Sequence, residues 1–253
     1  MTKLAWCCAV FLSGCVSYNE VCRSDATPVI GRSARSIELR AQRLRTGEAP
    51  LGNLVADAMR EATTVADAAL VPAGYFSDKT ACGTREFLDR GDIHQNDIDE
   101  MVPEDDTIAV VSLSGDELYS VLEHSVAALG GPGNTSESPA FAHVSNLFFS
   151  VECQGAAQRL SADGSQVTTL GGRVVPSSLV VDGEIVLSSS SVRLAVPTKL
   201  LLGKLGFVDL AAPGRLLLDT KVSLRAAVGS WIGRHSPIDP VVQGRITQRE
   251  SCF

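Results

Sequence analysis

A single domain of mixed α and β structure (α+β), with a mixed sheet and flanking helices, is the fold class predicted by this chain of 253 residues. Three observations predict it. Segments with apolar residues at every third or fourth position interleave with short apolar or alternating segments, the marks of helices and strands. No fixed period marks a repeat. With 45% hydrophobic and 20% charged residues, the chain can bury one sizeable core, is short for two full domains, and is unlike a disordered chain.

The first element is a targeting segment. MTKLAWCCAVFLSGC opens with Lys3, continues through an apolar stretch at 4–12, and ends in small residues before Cys15. That stretch is too short to span a bilayer and fits a secretory leader. LSGC resembles the lipobox of bacterial lipoproteins, which implies cleavage before Cys15 and lipids on its sulfur and amine. An ordinary signal peptide is the other reading. Several acyl chains on one residue anchor stably. Val16, where an aspartate would favour inner-membrane retention, implies an outer-membrane address in a bacterial envelope. The expected division is a leader at 1–14, a tether at 15–27 and a folded domain at 28–250.

Cys7 and Cys8 leave with the leader. Cys22, Cys82, Cys153 and Cys252 remain beyond Cys15, and in an oxidising compartment four cysteines read as two disulfides with three possible connectivities. A Cys22–Cys252 bridge would join the two ends of the domain. A zinc site is the rival, but no CxxC occurs and no histidine stands near these cysteines.

The arginines in RSARSIELRAQRLR (32–45) read as the wet face of a strand rather than a polyanion site. With a formal charge of −7 and a pI of about 5.1, nothing in the composition argues for a nucleic-acid partner. LGNLVADAMREA places Leu51, Leu54, Val55, Ala58, Met59 and Ala62 on one helical face. ADAALV and DTIAVVSLS read as buried strands. SGDELYSVLEHSVAAL opens with Ser114 and Glu117 in capping-box spacing, then continues as a helix through Leu118, Val121, Leu122 and Val126. GGPGNTSESP is a loop by composition. FAHVSNLFFSVEC and SVRLAVP read as strands, and SLVVDGEIV as a hairpin turning on Asp182-Gly183. Asp219 is placed to cap a last helix over TKVSLRAAVGSWIG, and PVVQGRIT closes the chain as a strand.

In that order, PVIGRSA, LGNLVADAM, ADAALVPAGYF, GDI, IAVVSLSGDELYSVLEHSV, FAHVSNLFFSVE and SPIDPVVQGRI resemble the C-terminal domain of the 5′-nucleotidase family, over roughly residues 28–247. The resemblance implies that family's fold and a link to nucleotide catabolism. In the family a separate N-terminal metallophosphoesterase domain carries two metals and performs the hydrolysis, while the C-terminal domain holds the nucleoside with arginines and sandwiches the base between two rings.

This chain reads as lacking the catalytic half. A two-metal site draws His, Asp and Asn ligands from several loops. None of the four histidines, His94, His124, His143 and His235, stands in a G-N-H or G-H-x-H context. His124 and His143 fall within a helix and a strand as packing or surface residues. No G-x-S-x-G occurs either. No catalytic residue, metal or cofactor is therefore expected.

The resemblance also implies where a ligand would sit. The family's N-G-G-G-I-R turn is PAGYFS here: Pro72 replaces its asparagine, Ser77 replaces its arginine, and Gly74 is kept. The P-F-G-N stretch is PEDD, which puts Glu104 at the first ring position. The N-x-F…G-G-D-G-Y stretch is PTKLLLGKLGF, which puts Lys199 at the second ring position and Leu205 at the aspartate, while Gly203, Gly206 and Phe207 remain. Arg45 matches one upstream arginine. Losing the arginine removes a charge-assisted contact, and each lost ring forfeits roughly 1–3 kcal/mol of stacking. Tyr75 and Phe76 either offer a new stacking surface or cover the core. Glu104 and Lys199, facing each other with opposite charge, can close the vacated slot as an ion pair. Three functions stay open: a lipid-anchored nucleoside or nucleotide binder serving a separate metallophosphoesterase, an interaction lipoprotein with a dead pocket, and a hydrolase. The missing ligands and rings favour a domain that does not catalyse on its own.

Overall fold

The computed structural model describes residues 27–80, 83–130 and 136–249. One hydrophobic core runs through them, from Ile37 to Ile246, and the architecture is the mixed α+β single domain expected.

The central sheet has five strands. In chain order they are β2 (Ala68–Pro72), β4 (Thr107–Ser114), β5 (Ala142–Ser145), β9 (Ser191–Pro197) and β10 (Leu216–Ser223). A pair outside this sheet, β1 (Val29–Ser33) and β3 (Gly91–His94), runs antiparallel. The spatial order of the central sheet is β10, β4, β9, β2, β5. Only the β9–β2 pair is parallel; the others are antiparallel. All five residues of β2 are buried, as a strand in the middle of a covered sheet requires. A smaller sheet joins β6 (Leu147–Val151), β7 (Val180–Val181), β8 (Glu184–Ile185) and β11 (Ile246–Gln248).

Among the described residues five α-helices accompany the sheets: α1 (Ala41–Thr46), α2 (Pro50–Thr63), α3 (Gln95–Met101), α4 (Gly115–Val126) and α5 (Leu224–His235). Helix α2 starts on Pro50, whose missing N–H costs nothing in a first turn, and buries Leu51, Leu54, Val55, Ala58 and Met59 as its periodicity predicts. Close approach to β5 is possible because residue 52 is glycine: a Cβ there would fall inside the His143 ring. Helix α4 carries the expected capping box, with Ser114 Oγ accepting from Glu117 N at 3.3 Å and Glu117 Oε2 accepting from Ser114 N at 2.7 Å. The β7–β8 hairpin turns on Asp182 (φ 55°) and Gly183 (φ 81°), the left-handed pair of a type I′ turn.

Three expectations need correction. The arginine-rich stretch is not one strand face: Arg32 lies on β1, while Arg43 and Arg45 occupy the last turn of α1. Leu44 is drawn into the core at 1% exposure, and cations near a helix C-terminus are favoured by its dipole. Asp219 caps no helix, because strand pairing continues as far as Ser223↔Thr107. Ser223 is the cap, its Oγ accepting from Ala226 N at 3.2 Å, and Asp219 pairs with Lys221. The closing strand is only Ile246–Gln248, since Gly244 at φ 73° interrupts the extended run.

Cys153 is 2% exposed and disulfide-bonded. Cys15, Cys22, Cys82 and Cys252 lie outside the described residues, as does the leader. Among the described residues no helix is long and apolar enough to cross a membrane.

Candidate functional site

Sheet topology assembles the site. Strands β2 and β9 are parallel, so their carboxyl ends emerge on the same side. Strand β4 is antiparallel to β9, with Pro197 opposite Ile108, so the start of β4 emerges there too. Three loops therefore meet: the turn at Ala73–Tyr75, the segment 103–106, and the two short helical turns between Thr198 and Gly206. Gly74, Glu104 and Lys199 belong to these three loops.

Glu104 and Lys199 form the expected pair, with Nζ at 2.8 Å from Oε1. Lys204 joins them on the other carboxylate oxygen. Hydrogen bonds from Lys199 and then Lys204 hold the Glu104 carboxyl below the usual carboxylate range, and Glu104 in turn raises Lys199. Glu104 is 39% exposed, so the charges close the surface of the slot and add little to stability.

Below them the slot is filled by protein. The Lys204 ammonium lies 4.4 Å from the centre of the Tyr75 ring, a cation–π contact. Leu205 sits at φ 58°, a left-handed conformation unusual for its type. Its methyl groups press on the turn, with Cδ1 3.0 Å from where a Cβ on Gly74 would stand. His124 Nε2 lies 2.8 Å from the Leu205 carbonyl, and the His124 ring meets Phe207 edge-on at 4.8 Å. Gly206 is needed at φ 81° and against His124, whose ring would be 2.8 Å from a Cβ there.

Asp106 pins the three loops together. One of its oxygens accepts from Tyr75 Oη at 2.9 Å and from the Lys199 backbone N–H at 3.0 Å; the other accepts from Thr107 N at 2.8 Å. Burial, and then the charges of Asp106 and Glu104, push the Tyr75 hydroxyl far above its ordinary pKa, so it stays a phenol and donates.

Of the residues carried over by resemblance, Gly74, Glu104, Lys199, Gly203 and Gly206 share this cluster. Tyr75 and Phe76 are buried, 0% and 4% exposed, so in this structure they cover the core and present no face to a base. Phe76 packs edge-on against His143 at 5.7 Å. Phe207 is 1% exposed and packs inward. Arg45 stands one segment away: Ser138 N donates to the Arg45 carbonyl at 3.0 Å, and Gly74 N to Pro139 O at 2.7 Å. Its guanidinium faces Glu137 at 3.4 Å. Sequence reasoning missed Lys204 and Asp106, while His124, expected as a packing or surface residue, packs on Phe207. Lys204, the charged residue between Gly203 and Leu205, was the one signal available.

Each histidine is engaged by the fold. His143 Nε2 donates to Leu44 O at 2.9 Å, and His235 stacks on Trp231 at 4.4 Å. Asp92-Ile93-His94 has the D-x-H spacing of a metal-ligand pair. Asp92, however, meets Arg32 at 3.0 Å, and His94 lies 3.8 Å from Asp97.

Comparison with known proteins agrees with this fold. The family model for "5′-nucleotidase, C-terminal domain" matches residues 29–211. A 5′-nucleotidase precursor from Thermus thermophilus superposes with a TM-score of 0.69 at 22% identity, over 89% of this chain and 40% of that one. The NAD nucleotidase of Haemophilus influenzae gives 0.68 at 14% identity, over 89% and 39%. A sulfate thiohydrolase, also from Thermus thermophilus, gives 0.59 at 13%, over 88% and 35%. No curated protein matches the chain. The chain spans about two fifths of the length of the nucleotidase structures it matches, and at these identities the likeness shows the fold alone.

Proposed function

The chain belongs to the 5′-nucleotidase C-terminal domain family, and on that premise we propose that it is a lipid-anchored envelope module of nucleotide metabolism that does not hydrolyse nucleotides by itself. The observation that carries this reading is the closed slot. Where a base would be sandwiched, Glu104 is bound by Lys199 and Lys204, and Leu205 rests on Gly74. The engagement of all four histidines in packing or capping contacts supports the non-catalytic part.

Binding and turnover test it together. Calorimetry of the wild-type chain with adenosine or AMP gives no heat of binding, and with Mn²⁺, Mg²⁺ or Zn²⁺ supplied AMP is hydrolysed no faster than in a buffer blank. The triple variant Glu104→Phe, Lys199→Phe, Leu205→Asp reopens the slot and binds adenosine with a Kd of about 1 mM or below, since two stacked rings contribute roughly 2–6 kcal/mol. Saturable adenosine binding by the wild type would overturn the closed slot, and metal-dependent turnover that survives further purification would overturn the non-catalytic reading.

The anchor is tested separately. Cys15→Ala, or globomycin treatment, leaves an unprocessed or unlipidated precursor, read as a larger band than the mature protein on a denaturing gel. Processing unchanged by either treatment rejects the lipoprotein assignment.

A further inference from the structure

A second cavity, of about 370 Å³, opens between α2, the turn joining β5 to β6, α5 and the C-terminal segment. It lies toward the opposite end of β2 from the closed slot, because Ser145, in its wall, pairs with Ala69 whereas Ala142 pairs with Pro72. Its volume is at the lower end of the range for small-molecule sites, roughly 300–1,000 Å³.

Charge in this wall is unevenly spent. Asp57 accepts from Arg245 at 2.8 Å on one oxygen and from Ser145 Oγ at 2.6 Å on the other. Glu61 is held by Arg234 at 2.7 Å and His235 at 3.4 Å. Arg60 is different. Its Nε donates to Ser145 Oγ at 2.9 Å, which orients the guanidinium, and it has no carboxylate at ion-pair distance among the described residues. The terminal nitrogens of a half-buried, pre-oriented guanidinium are thus left for an anion.

The rest of the lining is aromatic and amide. Trp231 and His235 stack at 4.4 Å and 20°, and Phe148, a large ring, is left 39% exposed. Ring faces carry negative quadrupole density and attract the C–H face of a sugar ring, while Asn146 and Gln243 in the same wall suit hydroxyl groups. We propose that this cavity binds a sugar bearing an acid group, either a uronic acid or a sugar phosphate, with the ring against Trp231 and Phe148 and the acid on Arg60.

Tryptophan emission reads this cavity directly. The chain has two tryptophans, Trp6 in the leader and Trp231, so Trp6→Phe leaves Trp231 as sole emitter. This chain is titrated with glucuronate and glucose 6-phosphate, following emission and calorimetric heat, with glucose and inorganic phosphate supplying each half of the ligand alone. At least one of the two acids saturates with a Kd of about 1 mM or below, and the two titrations show which acid group is preferred. Each half alone binds at least about tenfold more weakly, and Arg60→Gln weakens the acid about tenfold through the lost charge-assisted bond. No saturable heat up to about 10 mM, full affinity in Arg60→Gln, inorganic phosphate equal to glucose 6-phosphate, or AMP preferred over both acids would each overturn the assignment.

Discussion

Replacing Arg245 by methionine lowers the unfolding free energy by about 3 kcal/mol, read as a fall in the urea midpoint at unchanged slope. Arg245 is 6% exposed in its side chain and holds the C-terminal segment against α2 and β5. Its Nη1 donates to the Val144 carbonyl at 2.5 Å, and its Nη2 donates to Asp57 Oδ2 at 2.8 Å. Methionine fills most of the same volume, so the loss is of polar contacts rather than packing. It leaves Asp57 without its ionic partner, with Ser145 Oγ still donating to its other oxygen, and the cost of an uncompensated charge exceeds that of a missing bond. Asp57 is 24% exposed, so water recovers part of that cost and the value falls at the low end for buried pairs. The double variant Asp57→Asn, Arg245→Met recovers part of the loss. A loss below about 1 kcal/mol in the single variant would reduce Arg245 to the standing of a surface ion pair.

Neither the reach of Arg245 nor the boundary of β10 is visible in spacing. Helices α2 and α4 are legible because their signals are local: apolar residues recur on one face, and Ser114 and Glu117 stand three apart in the box that caps α4. Asp219 misleads because it has the chemistry of a cap but lies inside a strand that β4 keeps paired to Ser223. A cap is decided by where the backbone turns, which a long-range pairing controls. The short α1 is missed for a different reason: its six residues are too few for a periodic signal.

The candidate site was legible in part. Glu104 and Lys199 are 95 residues apart, and only the resemblance, not composition or periodicity, places them opposite each other. Their opposite charges then make the ion pair an electrostatic expectation. What the sequence does not show is the direction of neighbouring side chains. Tyr75 and Phe76 follow a glycine in a turn that suits a ligand, yet both point inward because Asp106 and His143 wait there as partners. Leu205 is legible as a substitution but not as a plug, since its left-handed φ is set by the closed loop around it.

Acidification from pH 6.5 to about 5 destabilises the fold by roughly 2 kcal/mol through His143 alone, growing to about 3 kcal/mol near pH 4. His143 is fully buried between α2 and β5, and its pKa is pushed down to about 4, first by that burial. The folded state therefore keeps the ring neutral while the unfolded chain takes up a proton below about pH 6.5. Stability from this residue is complete above that value and is lost as the pH falls toward about 4. The geometry allows no easy relief: Nε2 donates to Leu44 O at 2.9 Å, while Nδ1 is buried with no partner, beside Gly52, where a second N–H would find no acceptor. Glu123 works in the opposite direction. Burial raises its carboxyl, so its folded form takes up a proton first and gains stability as the pH falls. Comparing wild type with His143→Gln at each pH removes this and every other shared titration, because the amide keeps a donor for Leu44 but cannot ionise. Urea unfolding between pH 7 and 5 then shows the stability gap between the two proteins shifting toward the variant by roughly 2 kcal/mol. A gap that stays constant over that range would mean that His143 titrates alike in both states and that its burial is relieved by opening of α2 from β5.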